Sequence, residues 1–393
     1  MPVLEQNNFY AIDRPDGKPR NRYPIGASLL AMPYVVAAAL IHPSLENEIK
    51  TSVPARLEMT IASIFGAISG CLFFLLIFGQ FESVPIALVA TTIFAFGTSM
   101  WSTATRALWQ HGPLVMMLLI AMLLLARSRQ RANLIQFVSL PLAMACLTRP
   151  TAVVPVLVIS VYVLIFHRKW FLRYLGWATL IALPWILYNV AIYHALVPPY
   201  YHSSAFSPTS SFGQGLAGNL FSPSRGLFVF SPVLIFAFSG FLLALRDREQ
   251  RPLNIAYAAI IVGHSVIVGE ASMWWAGHSF GPRFMTDIVP FLGYFVAFNF
   301  RPPEWVSPIA RSALFAFIGV FALISVVINA QGALRSAVWS WNVIPQNIDD
   351  QPSRAWDWRD PQFARRKGDY APPDVGKDVT DRPAVDAPGS LRN

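Results

Sequence analysis

The stretch Leu57-Glu-Met-Thr-Ile-Ala-Ser-Ile-Phe-Gly-Ala-Ile-Ser-Gly-Cys-Leu-Phe-Phe-Leu-Leu-Ile-Phe-Gly79 decides the fold class. From Met59 onward it carries no charge, and it supplies the roughly 20 apolar residues that a helix needs to cross a hydrocarbon layer. Similar apolar stretches run on either side of it: Pro24–Ile41, Val84–Met100, Ala107–Ala126, Ala132–Leu147, Thr151–Phe166, Leu172–Tyr193, Phe228–Leu245, Leu253–Gly269, Asp287–Phe300 and Ile309–Asn329. Thr148-Arg149-Pro150 alone separates two of them, which predicts a tight helical hairpin there. The expected fold is therefore an all-α polytopic membrane protein with about ten or eleven helices.

Composition agrees. The chain has 393 residues, of which 54% are hydrophobic and only 13% charged, where soluble domains carry roughly 25%. Its formal charge is +9 and its mean hydropathy +0.46. These values exclude a soluble enzyme, a secreted disulfide scaffold and a disordered chain, and 31 Pro with 12 Trp exclude a simple coiled coil. Cys71 and Cys146 both sit in apolar runs, and neither forms a CxxC or Cys/His metal pattern, so they read as small core residues. The polar segment up to Arg22 contains no apolar core of a cleavable leader.

Four organisational units follow: a polar N-terminal segment over 1–23, a helical membrane domain over 24–330, an external segment over 331–367 and a disordered tail over 368–393. Short basic loops mark the cytoplasmic side. They hold Arg127/Arg129/Arg131, Arg168/Lys169/Arg173, Arg246/Arg248/Arg251 and Arg301 with Arg311. Trp101–Gly112, His194–Leu227, Glu270–Thr286 and the chain after Ala330 then lie outside. Pro24–Ile41 reads either as a first span with the N-terminus inside or as an amphipathic segment on the outer face.

The external loops hold the chemistry. Arg106, Trp109, Gln110 and His111 fall in the first; Tyr200, Tyr201, His202 and Ser222-Pro-Ser-Arg225-Gly226 in the second; Trp274, Trp275, His278, Arg283 and Asp287 in the third. Aromatic rings suit sugar faces, and guanidinium forks suit phosphate oxygens, so a lipid-phosphate-linked sugar is the expected ligand. The duller readings are interfacial anchoring for Trp274 and Trp275, an i,i+4 pair for Arg283 and Asp287, and snorkelling for Arg149. Gly213-Gln-Gly215-Leu-Ala-Gly218 fits GxGxxG without a preceding strand and is no nucleotide fingerprint. Gly66-Ala-Ile-Ser-Gly70 reads as helix packing. No Walker A, HExxH or EF-hand pattern occurs, and no nucleic-acid, cofactor or metal role is expected.

Taken together, Arg22-Tyr-Pro-Ile-Gly26, Trp101…Arg106-Ala-Leu-Trp-Gln-His-Gly112, Thr148-Arg-Pro150, Ser222-Pro-Ser-Arg-Gly226, Trp274…Gly281-Pro-Arg283 and Trp356-Asp-Trp-Arg-Asp-Pro-Gln362 resemble bacterial multispanning glycosyltransferases of the GT-C type. The resemblance covers Tyr23 to about Phe363. It implies an enzyme of the bacterial cytoplasmic membrane that takes a sugar from a polyprenyl-phosphate carrier to an acceptor on the external, periplasmic face. It also implies a general base in a first external loop, where Asp13 and Asp16 are the carboxylates present; no apolar span precedes that loop here, a departure from the pattern. Arg106, His111, Arg149, Arg225, Trp274, His278 and Arg283 are the expected substrate contacts. A lipid-linked sugar flippase and a non-catalytic glycolipid-binding relative are the alternatives. Replacing Asp13 by Cys gives a direct test of sidedness: labelling of intact cells by a membrane-impermeant maleimide is expected if the loop is external, and protection until lysis would remove Asp13 as the base.

Overall fold

The computed structural model describes residues 11–12, 20–21, 23–45, 47–48, 54–198, 200, 212–366 and 369. Asp13 and Asp16 lie outside the described residues, as do Tyr201 and His202. Among the described residues the regular structure is helical apart from a short antiparallel pairing of Ala11–Ile12 with Arg20–Asn21. Five helices are long and apolar enough to cross a membrane: Ala55–Phe81 (α2), His111–Ser128 (α4), Arg168–Tyr193 (α7), Arg251–Gly269 (α10) and Pro308–Leu334 (α12). Shorter helices fill the remaining stretches, namely Gly26–Ile41 (α1), Val84–Phe96 (α3), Ser139–Thr148 (α5), Val153–Phe166 (α6), Phe212–Phe221 (α8), Ala237–Ala244 (α9) and Val289–Phe298 (α11).

Several expected boundaries shift for local reasons. The helix predicted over Ala107–Ala126 begins only at His111, with Pro113 in its first turn, where its missing N–H costs no hydrogen bond. The span predicted over Phe228–Leu245 is broken into a single turn at Leu227–Phe230, a 3-10 segment at Pro232–Phe236 and α9; Pro232 cannot donate into a continuous helix. After α3, the Thr98 hydroxyl bonds the Phe94 carbonyl at 2.6 Å and accepts from the Met100 N–H at 3.2 Å. The chain then winds through a π-helical turn at Met100–Ala104. The long external loop expected over His194–Leu227 contains α8, whose Gly215 lies on the Gly269 backbone and whose Gly218 lies on the Trp274 ring. Two of the three GxGxxG glycines thus serve close packing, while Gly213 meets nothing within 4 Å.

Helix α11 sits at the centre, with every residue from Val289 to Phe298 buried, as an all-apolar helix requires. Around it lies one continuous core that joins Phe65, Phe73, Phe94, Met122, Leu234 and Tyr257. The outer helices are the reverse. Only Tyr174, Asn189 and Tyr193 of α7 are buried, and Leu172, Leu180, Leu187, Phe317 and Leu323 are more than half exposed. An apolar exterior of this extent calls for a non-aqueous surrounding, in accord with a membrane protein. Several polar side chains inside the bundle are paired: Ser102 donates to Asn329 at 2.6 Å, Thr286 to Ser99 at 2.9 Å, and Ser325 accepts from the Val233 N–H at 3.1 Å.

Helix α12 continues to Leu334, past the expected onset of the polar segment at Ala330. Beyond it, residues 335–366 fold back as a cap against the loops at 222–226 and 274–281, with Trp341, Ile348 and Ala355 packed on Trp274. A close helix crossing joins α9 and α11, where a Cβ at Gly240 would fall on the Phe295 carbonyl. Gly240→Val is expected to lower stability by about 1–3 kcal/mol through overpacking, read as an earlier thermal transition in detergent; an unchanged transition would contradict this contact.

Candidate functional site

At the end of the bundle away from the Arg129, Arg246 and Arg301 loops, four elements deliver ionisable groups to one buried point. Pro150 drives the residue before it out of the helical region, and Arg149 accordingly adopts φ −157°, ψ 137° between α5 and α6. That break turns Arg149 inward. His111 is the first residue of α4, and Asp287 sits in a 3-10 turn, Arg283–Ile288, that leads into α11. Helix N-termini favour anions and disfavour cations, which suits a carboxylate at Asp287 and a neutral ring at His111.

The geometry agrees. Nδ1 of His111 lies 2.7 Å from Asp287 Oδ1, and Arg149 Nη1 lies 3.0 Å from His111 Nε2. A guanidinium has no acceptor lone pair, so Nε2 accepts from Arg149 and Nδ1–H donates to Asp287. Arg149 Nε is 2.9 Å from Asp287 Oδ2 and donates to Thr151 Oγ1, also at 2.9 Å. Thr151 in turn donates to Asp287 Oδ2 at 2.9 Å. His264, on α10, donates from Nε2 to the Phe284 carbonyl at 2.8 Å and stands 3.9 Å from Asp287 Oδ2. The Asp287 side chain is 3% exposed and that of Arg149 4%.

Arg283 does not form the expected pair with Asp287. Residues 283–288 are 3-10 rather than α-helical, so side chains four apart do not stack on one face, and Asp287 turns to Arg149. Arg283 instead lies over the Trp109 ring at 4.5 Å from its centroid. Its Nη1 makes one long bond, 3.3 Å, to the Ala276 carbonyl, and its buried Nε has no partner. Burial, followed by the nearby positive charge of Arg149, pushes the Arg283 pKa down to about 10. The Tyr23 and Tyr200 hydroxyls are close enough to act on that charge, and their rings meet at 5.0 Å. Arg106 is a second half-buried guanidinium whose Nε lacks a partner. Its loop is tied down where Glu58 accepts from the Leu108 N–H at 2.9 Å.

Two expected contacts prove structural. All five Arg225 donors are taken by the protein: Nε by the Trp275 carbonyl, Nη1 by the Ser224 carbonyl and Gln362, Nη2 by the Gly277 carbonyl and Asn342. With 1% exposure and no open donor, Arg225 latches loops rather than presenting a fork to phosphate. Burial, then the charge of Arg283, holds its pKa down at about 9. Trp274 is 2% exposed beneath the cap, so its ring faces cannot receive a sugar. His278 remains at the surface with a side chain 44% exposed. The structure thus gathers His111 and Arg149 in one network with Arg283 and Arg106 as open cations, and assigns Arg225 and Trp274 to the cap.

Thr151 and His264 were not singled out in the sequence. An ionisable residue inside an apolar stretch is a usable signal for His264, whereas Thr151 had none beyond its place after Pro150. Beside this network an apolar cavity of about 510 Å³ opens between α1, α4, α5 and α7, lined by Ile25, Leu29, Met117, Met144, Leu147 and Tyr188 among others. Two of its lining residues, Leu147 and Ile25, stand two positions along the chain from Arg149 and Tyr23. Among the described residues no His/Cys/Asp/Glu group has an arrangement able to hold a metal ion. A scan against protein-family models and a search of curated proteins find no match to the chain.

Removing Asp287 tests the network. Asp287→Ala strands Arg149 as an uncompensated buried charge, at an expected cost of about 3–5 kcal/mol. Thermal unfolding in detergent measures it, and a transition within a degree or two of the parent would refute the pairing.

Proposed function

We propose that the chain is a membrane glycosyltransferase that moves a sugar from a lipid-phosphate carrier to an acceptor on the face opposite its basic loops. The observation that carries this reading is Arg283. It is a guanidinium with a partnerless buried Nε and no carboxylate in ion-pairing distance among the described residues, held against Trp109. Burying such a charge is costly unless an anion completes it, and a phosphate is the anion a planar fork fits best. The apolar cavity beside Leu147 supports a donor with a hydrocarbon tail, because a ligand half in lipid and half at a cationic recess is an amphiphilic phosphate. Aromatic side chains at Tyr23, Tyr200 and Trp109 flank the recess, in keeping with a sugar between tail and water.

In this mechanism an acceptor hydroxyl attacks the anomeric carbon, a carboxylate takes its proton, and the bond from that carbon to the lipid-phosphate oxygen breaks. The electron pair leaves with the phosphate, where Arg283, with Arg106 beside the same loop, offsets the developing charge. Arg149 acts one layer deeper: Asp287 already neutralises it, so it shapes the floor of the recess. Asp13 and Asp16 remain the base candidates. A flippase is the second reading, favoured by the buried Arg149–His111–Asp287 charges, since ionisable groups inside a helical bundle also mark transport pathways.

Release of free polyprenyl phosphate separates the two. Protein in nanodiscs, given a radiolabelled polyprenyl-phosphate hexose and membrane extract as acceptor source, is expected to release the free carrier. Arg283→Ala is expected to reduce that release by about 100-fold or more while leaving expression and elution profile unchanged. Undiminished release by the variant would sink the assignment, and bilayer crossing of the intact donor without release would favour the flippase.

A further inference from the structure

The turn Trp275-Ala276-Gly277-His278 faces two ways. Its backbone points inward. The Trp275 and Gly277 carbonyls accept from Arg225 at 2.6 and 3.1 Å, and the Ala276 carbonyl accepts from Arg283 at 3.3 Å. To do this the chain takes the left-handed region twice, at Ala276 with φ 61° and at Gly277 with φ 60°. A glycine enters that region freely, but an alanine rarely does. The conformation therefore persists because its surroundings hold it there.

The side chains of the same turn point outward and meet the cap. Trp275 Nε1 donates to Asp349 Oδ1 at 2.8 Å. His278 Nε2 lies 2.8 Å from Asn347 Oδ1 and 3.5 Å from Asp349 Oδ2. Unlike His111 and His264, which are shut in, this group is open: the His278 side chain is 44% exposed and that of Asp349 38%. Carboxylate, amide, imidazole and indole N–H thus share one accessible patch. Arg283 lies behind it, bonded to the Ala276 carbonyl of the same turn.

Such a set discriminates by charge. A carboxylate accepts hydrogen bonds from hydroxyls and repels phosphates and other anions. Amide and imidazole groups can donate to or accept from hydroxyls, and none of the three needs the ligand to be ionised. The patch therefore suits a neutral polyhydroxylated molecule arriving from water, while the cationic recess behind it suits the anionic donor.

We propose that Asp349, His278 and Asn347 form an acceptor subsite, and that the acceptor is a neutral carbohydrate whose hydroxyls these three side chains bind. The proposal rests on the glycosyltransferase reading for the name acceptor, but the subsite itself is defined by these residues. The cap is then one wall of the site, and Trp275 orients Asp349 rather than stacking on sugar.

Two ligands tested in parallel keep the two readings apart. Nanodisc-embedded protein is examined by saturation-transfer NMR with neutral sugars (glucose, galactose, mannose and arabinose), and separately for binding of polyprenyl phosphate. Asp349→Asn keeps an oxygen that accepts from Trp275 Nε1, so the cap stays fastened, which thermal unfolding verifies. His278→Ala serves as the second variant. The expected result is sugar binding by the parent that weakens roughly tenfold in each variant, with polyprenyl-phosphate binding unchanged. Absence of neutral-sugar binding in the parent, or equal binding in parent and both variants, overturns the subsite. Sugar binding that depends on Asp349 and His278 in a protein that ignores polyprenyl phosphate upholds the subsite and overturns the lipid-donor reading.

Discussion

The Asp287 carboxylate is the constraint around which the polar end of the bundle is arranged. An ionised group at 3% exposure persists only if its lone pairs are used, and here His111, Arg149 and Thr151 use them. The partners come from two elements besides its own, so one side chain ties together the start of α4, the break between α5 and α6 and the entry to α11. The network is self-consistent in charge: one guanidinium balances one carboxylate, and the imidazole between them stays neutral because it must accept from Arg149. Remove the carboxylate and three elements lose their common register.

The arginines of this end divide by whether their donors are spent. Arg149 is neutralised and Arg225 is saturated, leaving Arg283 and Arg106 with unmet hydrogen-bonding capacity. Sequence position alone makes these four look alike. What separates them is the supply of carbonyls: the turn at 275–277 gives two to Arg225 and only one long contact to Arg283. An open guanidinium in a bundle that also holds an apolar cavity is the feature from which the functional reading grows.

Much of the architecture was legible because apolar runs are long and charge is scarce. Every expected apolar stretch contains helix, and the inward turn of Arg149 follows from the residue after it. Helix ends were less legible, since Pro232 breaks a run that hydropathy leaves continuous and α3 ends at Phe96, short of the expected Met100. Of the buried network, His111, Arg149 and Asp287 stood out in the sequence, Thr151 and His264 did not, and the pairing between them was not legible. His111 and Asp287 are 176 positions apart, and no local pattern specifies such a contact. The i,i+4 rule gave Asp287 to Arg283 because it presumes an α-helix where the chain is 3-10. The cap was hidden for another reason: its sequence is polar, and its core of Trp341, Ile348 and Ala355 becomes a core only against Trp274.

The Arg225 latch also sets an order of assembly. Its guanidinium is completed by Asn342 and by Gln362, a residue 137 positions downstream. Until the chain through Asn342 and Gln362 has been synthesised, two of the five Arg225 donors lack their side-chain acceptors, while the others already hold the carbonyls of Ser224, Trp275 and Gly277. The helical bundle can be complete while this lobe is still open. A chain clipped before Gln362 would leave one donor of this buried cation without its acceptor, and a local defect of that kind opens more readily than the packed helices do.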